Sequence, residues 1–250
     1  MAAREDMVRS MLQEFLSDAD ARRAASAFRI LERHDISRWA LTGGLAIEIH
    51  LLRLGARPST RILNDVDFVA ESFDCIPVTL AGDFLFRHIH PFELPGKTMM
   101  QIVHADSALR VDVFRASGET MNRTVRLNLS QSTIQLVSLS DLVARSARLA
   151  LDLSEGIPVA SKLANDFMRM AKLVDAAEMR PAWQDHRKPQ HPATFEKASD
   201  LLHTLISAHR DLLITPEYST NTSEQCARCL PTPAFRLADP KVVLSVLGYC

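Results

Sequence analysis

The stretch Asp65-Val66-Asp67-Phe68-Val69 alternates charged and apolar residues, the pattern of a β-strand with one face buried. Side chains on a strand repeat with a period of two, so Asp65 and Asp67 share a face. Working outward toward the N-terminus, the short apolar run Trp39-Ala40-Leu41-Thr42 meets Gly43-Gly44, and Leu45 to Leu54 resumes at helical spacing. That order reads as strand, tight turn, helix. The Gly-Ala-Arg-Pro sequence from Gly55 to Pro58 ends the helix. In the other direction, Phe84 to His90, Thr98 to His104 and Leu109 to Phe114 are strand candidates. The last two are separated by a short polar segment that suits a hairpin. Val125 to Leu129 and Thr133 to Val137 complete the sheet.

Helical patterns flank this core. From Ala3 to about Arg33, Met7, Met11, Leu12, Phe15, Ala24, Ala27, Phe28 and Leu31 recur at helical spacing among charges, as one long or two short amphipathic helices. After Val137 the texture changes. Ser138-Leu139-Ser140-Asp141 offers an N-cap, and helices are expected from Leu139 to about Leu153, from Val159 to about Met179 and from Thr194 to Ile214. Arg180 to Pro192 and Thr215 to Pro233 read as loops, with a short helix from near Pro240. The expectation is therefore a mixed α/β (α+β) fold with a helical C-terminal half. Its parts are a core with N-terminal helices over 1–138, a helical unit over 139–214, and a loop with a short helix over 215–250.

The 250 residues, 47% hydrophobic and 24% charged, suit a chain that buries a sizeable core. Lys plus Arg number 29 against 30 for Asp plus Glu, a formal charge of -1, so no overall basic field draws in nucleic acid or an anionic membrane. Two Trp and two Tyr leave few rings for stacking bases, which argues against a general single-strand binder. No apolar stretch approaches the roughly 18 residues of a spanning helix. The N-terminal residues lack the apolar run of a secretory signal, and Cys75, Cys226, Cys229 and Cys250 are irregularly spaced, so the expected location is cytoplasmic.

Three carboxylates carry the chemistry. Asp65 and Asp67 share a strand face, and Asp112 lies between apolar neighbours in Arg110-Val111-Asp112-Val113-Phe114, on what is expected to be a neighbouring strand. A carboxylate on a partly buried strand is costly unless a ligand or cation meets it. Together the three form a hard oxygen site suited to Mg2+ or Mn2+, which takes one or two carboxylates plus water and substrate phosphates. Thr42-Gly43-Gly44 lets backbone approach a phosphate at a helix N-terminus, placing a phosphate seat beside a metal seat.

In these residues, Gly43-Gly44, Asp65-Val66-Asp67 and the later Asp112, the chain resembles the nucleotidyltransferase superfamily related to DNA polymerase beta. The likeness is closest to the bacterial group of AbiEii and MenT type toxins and minimal antibiotic-modifying nucleotidyltransferases. Leu41-Thr-Gly-Gly-Leu-Ala-Ile47, with Arg61 four residues before Asp65, is similar to that group's Gly-Gly helix and Arg-x-Ser/Thr-x-Asp-x-Asp pattern, with Leu63 replacing the hydroxyl residue. Ser146 stands where the group usually carries a lysine, with Arg145 and Arg148 nearby, and Lys162 with Asp166 matches a later Lys-x-x-x-Asp pattern. The resemblance covers Trp39 to about Met170.

It implies transfer of a nucleoside monophosphate from a triphosphate such as ATP to an acceptor hydroxyl. Asp65, Asp67 and Asp112 would be catalytic and metal-binding, and Thr42, Gly43, Gly44, Arg61 and Lys162 nucleotide-binding. The acceptor is open among a small molecule, a tRNA end and a protein side chain, an antitoxin-like partner is compatible with a toxin-antitoxin role, and no membrane is involved. Ser146 motivates a rival, a degenerate module that binds nucleotide or a protein without turnover.

Weaker motifs have ordinary readings. An isolated Asp-x-Asp is most often a solvated strand edge, Arg61 is otherwise a surface charge, and Lys162 with Asp166 is otherwise an i,i+4 ion pair. Cys226-Ala-Arg-Cys229 is half of a zinc site that Cys250 with His203 or His209 would have to complete. His88 and His90 share a strand face near His104 and read as a polar sheet face.

Overall fold

In a computed structural model, residues 2–72, 75–90, 99–104, 106–107, 109–129 and 132–215 are described. The loop expected after residue 215, the helix near Pro240 and the Cys226, Cys229 and Cys250 trio lie outside them. The chain divides into two compact units. The first holds residues 2–116 and 124–136, the second Ser117–Arg123 and residues 137–215.

The first unit opens with two helices, α1 (Ala2–Gln13) and α2 (Asp18–Leu31). Ser17 separates them because its hydroxyl accepts the Asp20 backbone N–H at 3.1 Å and starts α2, whose first-turn Asp18 and Asp20 complement the helix dipole. Strand β1 (Trp39–Thr42) runs into α3 (Gly43–Arg53), followed by β2 (Asp65–Ala70), β3 (Phe84–His90), β4 (Met99–His104), β5 (Arg110–Arg115), β6 (Val125–Leu129) and β7 (Ser132–Leu136). These seven strands form one mixed sheet in the order β3-β4-β5-β2-β1-β7-β6. The hairpin expected between β4 and β5 is present as an antiparallel pair, while β2 lies parallel to β5 and antiparallel to β1. The mixed α+β fold class expected from the alternating patterns is the one observed.

One face of the central strands is apolar. Trp39, Leu41, Val66, Phe68, Val111 and Val113 are all buried, and Phe68 meets Trp39 and the α2 residue Phe28 with ring centroids 5.7 and 6.3 Å away. Burying each large side chain of this kind contributes about 1.5–3 kcal/mol, enough to fix which sheet face points inward. The same alternation turns Asp65, Asp67 and Asp112 to the opposite face.

The second unit contains α4 (Leu139–Ala150), a 3-10 turn (Leu151–Glu155), the short strand β8 (Val159–Ala160), α5 (Ser161–Met170), α6 (Ala176–His186), α7 (Phe195–Ala208) and β9 (Leu213–Ile214), which pairs in parallel with β8. Three expectations are corrected. The single helix expected over Val159 to Met179 is interrupted, because Asp175 caps a new helix by accepting the Ala177 N–H at 2.7 Å. Arg180 to His186 is helical despite Pro181, since burial of Met179, Ala182 and Trp183 outweighs the one backbone bond that proline removes. The last helix stops at Ala208, and Leu213–Ile214 leaves it to pair with β8.

Candidate metal centre

The sheet register assembles the acidic site. Thr42 stands opposite Asp67, Asp67 opposite Asp112, and Asp112 opposite Gln101, so four polar residues form a line across β1, β2, β5 and β4. In the adjoining row Asp65 stands opposite Arg110, two residues along each strand and hence on the same face. Carboxylate oxygens of Asp65, Asp67 and Asp112 lie within 4.8 Å of one another. Asp112 is buried, and Asp65 and Asp67 are half-buried. Two unit charges about 5 Å apart at an effective dielectric near 20 repel by about 3 kcal/mol, so a fold that gathers three needs positive charge there.

Part of that charge comes from Arg110. Its guanidinium contacts Asp65, and its Nε stands 3.4 Å from Asp112 Oδ1. Burial alone would lower the Arg110 pKa, but the charges of Asp112 and Asp65 and the hydrogen bond to Asp65 outweigh it and raise the value above normal. Gln101 Nε2 donates to Asp112 Oδ1 at 2.9 Å and fixes that carboxylate from the strand beyond. Neither Arg110 nor Gln101 was singled out from the sequence. Arg110 was legible by period two from Asp112, whereas Gln101 required the register of a hairpin partner.

The turn between β1 and α3 closes on the same point. Gly43 has φ +68°, and a Cβ placed on it would collide with Asp67, reaching 2.7 Å from its Cγ. Glycine is needed here both for left-handed backbone and for the approach of a carboxylate. Gly44 lies beside Arg61, whose Nη1 is 3.4 Å from the position a Cβ would take. Arg61 is not a surface charge: its Nε donates to Glu48 Oε1 at 2.7 Å, and Glu48 is fully buried in α3, with its other oxygen accepting the Ser59 N–H at 2.9 Å. Thr42, Gly43, Gly44, Arg61 and the three aspartates are thus gathered in the first unit.

Lys162 belongs to the second unit, where it is exposed on α5. The buried Asp166, four residues on, pairs with Arg169 at 3.6 Å. His104 is buried with its Nδ1 2.7 Å from Ser107 Oγ and its ring beside Phe84. The side chains of His88 and His90 lie outside the described residues. His203 packs its ring against Phe167.

The donor set suits a hard divalent cation: three carboxylates on rigid strands, a glycine turn with no room for a side chain, and a guanidinium already drawn to the same oxygens. No family model matches the chain, and no curated protein matches it. Structures similar to it include an antigenic nucleotidyltransferase-like protein from Paracoccidioides brasiliensis, 15% identical over 70% of this chain and 81% of that chain with a TM-score of 0.34. Another is JHP933 from Helicobacter pylori, 14% identical over 79% and 94% with a TM-score of 0.31.

Proposed function

We propose that the chain transfers a nucleoside monophosphate from a nucleoside triphosphate to an acceptor hydroxyl, with Asp65, Asp67 and Asp112 holding Mg2+ or Mn2+. The observation that carries this reading is the convergence of the three carboxylates within 4.8 Å beside the Gly43 turn. In the reaction the acceptor oxygen bonds the alpha phosphorus, the bond from that phosphorus to the bridging oxygen breaks, and pyrophosphate departs. A divalent cation bound to the aspartates would neutralise charge on the attacking and leaving oxygens. Asp112, steadied by Gln101, accepts the proton of the acceptor hydroxyl or holds the ion nearest to it. Gly43 and Gly44 offer backbone N–H groups to the phosphates, and the N-terminal end of α3 adds its partial positive charge. Arg61, locked by Glu48 beside Gly44, supplies charge for the triphosphate. The acceptor is a small hydroxylated molecule, a tRNA end or a protein side chain.

A second reading draws on Arg110. In a nucleotide-binding module without turnover, its guanidinium would serve as the permanent counter-ion of Asp65 and Asp112. The two separate on incubation with each alpha-labelled triphosphate and Mg2+ or Mn2+, with and without cell extract. Label transfer by the wild type and not by Asp67→Asn supports transfer. Nucleotide binding without label on any acceptor supports the module.

A further inference from the structure

We infer that the second unit carries its own transition-metal site, in which Asp152, Glu155 and His191 bind a borderline divalent cation of the zinc class and tie the 3-10 turn to the loop after α6. One ligand atom of each residue lies within 4.8 Å of the others. Asp152 and Glu155 fall in the 3-10 turn Leu151–Glu155, and in such a helix residues three apart eclipse, so the two carboxylates are set on one side. Gly156, at φ +70°, ends the turn immediately afterwards.

The independent sign of a ligand is His191. It is 6% exposed, and its buried Nε2 has no hydrogen-bond partner. A buried polar nitrogen left unsatisfied costs about 1–3 kcal/mol, and a ligand on it would remove that cost. The ring is held in place by Trp183, stacked on it at an interplanar angle of 12°, with the indole Nε1 donating to Pro192 O at 2.9 Å. The other ring nitrogen, Nδ1, accepts the Lys188 backbone N–H at 3.3 Å. A cation on Nε2 relieves the unsatisfied nitrogen at the expense of that one long bond, because the ring proton then resides on Nδ1. Burial and the charge of Lys188 lower the His191 pKa, so the imidazole is neutral and available as a ligand near neutral pH.

The chemistry of the set selects the metal. The imidazole is a borderline donor, and its presence beside two hard carboxylates favours zinc over magnesium, in contrast to the all-carboxylate set of the first unit. Zinc bonds of about 2.0–2.2 Å require the ligand atoms to draw somewhat closer, which exposed Glu155 can do by rotating. The resident competitor is Lys188, whose Nζ donates to Asp152 Oδ1 at 2.8 Å and which the metal would displace or share.

The test is zinc titration of the full chain in an Asp67→Asn background, which disables the first cluster, read by calorimetry and by the visible spectrum of Co2+ as a probe. One equivalent of zinc is expected to bind, more than tenfold more weakly after His191→Ala and after the near-isosteric Asp152→Asn, and more tightly after Lys188→Met. The Asp152→Asn arm keeps the test decisive should His191→Ala fail to fold. Unchanged affinity in both variants, absence of zinc binding, or loss of binding on Cys226→Ser with Cys229→Ser instead would overturn the proposal. None of these outcomes depends on nucleotidyl transfer.

Discussion

Two clusters of aspartate and arginine, one in each unit, use the same residue types to opposite ends. In the second unit Asp141 is fully buried and accepts five hydrogen bonds: two from Arg123, one each from Thr120 and His186, and one from the Ser138 hydroxyl. Ser138 in return accepts the Asp141 backbone N–H at 3.0 Å, so the carboxylate also completes the cap of α4. Arg123 continues to Asp185 at 2.7 Å, tying Ser117–Arg123 to α6. One carboxylate is surrounded by donors, which is what a fold needs to bury a charge. In the first unit three carboxylates are brought toward one another, and Arg110 bridges two of them. Converging like charges destabilise the protein unless a cation meets them, which is the role proposed for this cluster. Satisfied charge marks structure, and crowded charge of one sign marks a site.

The contrast yields predictions in order of effect. Asp67→Asn should lower transfer by about 10^3-fold, the scale seen when a preorganised electrostatic group is lost, while the melting temperature moves little. Repulsion among the three aspartates, taken alone, would make neutralising Asp65 stabilising. The contact with Arg110 offsets that gain, and the expectation for Asp65→Asn is reduced activity without stabilisation. Asp141→Ala should do the reverse, costing about 3–5 kcal/mol of stability because Arg123, His186 and Thr120 lose a shared buried partner and Arg123 keeps only Asp185, with Mg2+ affinity per folded molecule unchanged; chemical denaturation measures it.

Asp141 also sets a pH dependence. Burial would raise its pKa, but hydrogen bonds from His186, Arg123 and Ser138 prevail and hold it well below the carboxylate range. A lowered folded-state pKa contributes stability that is fully present above the unfolded value near 3.9 and is lost as pH falls below it. Wild-type melts should therefore lose this contribution only below about pH 4, and Asp141→Asn should flatten that acid limb; an unchanged limb would remove Asp141 from the cause.

Smaller effects sharpen the first cluster. Gly43→Ala should cost about 1–3 kcal/mol from its positive φ and should displace Asp67, lowering both stability and transfer. Gln101→Leu removes only the support behind Asp112, and a loss of about 10-fold in metal affinity is expected, the lower end for an outer partner of a metal ligand. A loss of transfer on Gln101→Leu as large as the roughly 10^3-fold loss expected for Asp67→Asn would show that Gln101 does more than support Asp112.

How much of this was legible follows from locality. The strand with Asp65 and Asp67, the turn at Gly43-Gly44 into α3, and the β4 and β5 hairpin rest on periods and turn residues within a few positions of one another, and those readings correspond to the observed elements. The line Thr42, Asp67, Asp112 and Gln101 depends on register between strands far apart in sequence, which no local pattern encodes. The ion pair of Arg61 with Glu48 was not legible because the partner lies 13 residues away, in the middle of a helix that looks apolar. The break at Asp175 and the helix through Pro181 were missed for a related reason, since burial of Trp183 is a tertiary effect that overrides local propensity.

The most direct test of the central claim is a Mn2+ titration of wild-type and Asp67→Asn protein, read by the electron paramagnetic resonance signal of free Mn2+. The wild type should deplete the free-ion signal, Mg2+ should restore it by competition, and Asp67→Asn should bind at least about tenfold more weakly. Equal depletion by the two proteins would contradict it.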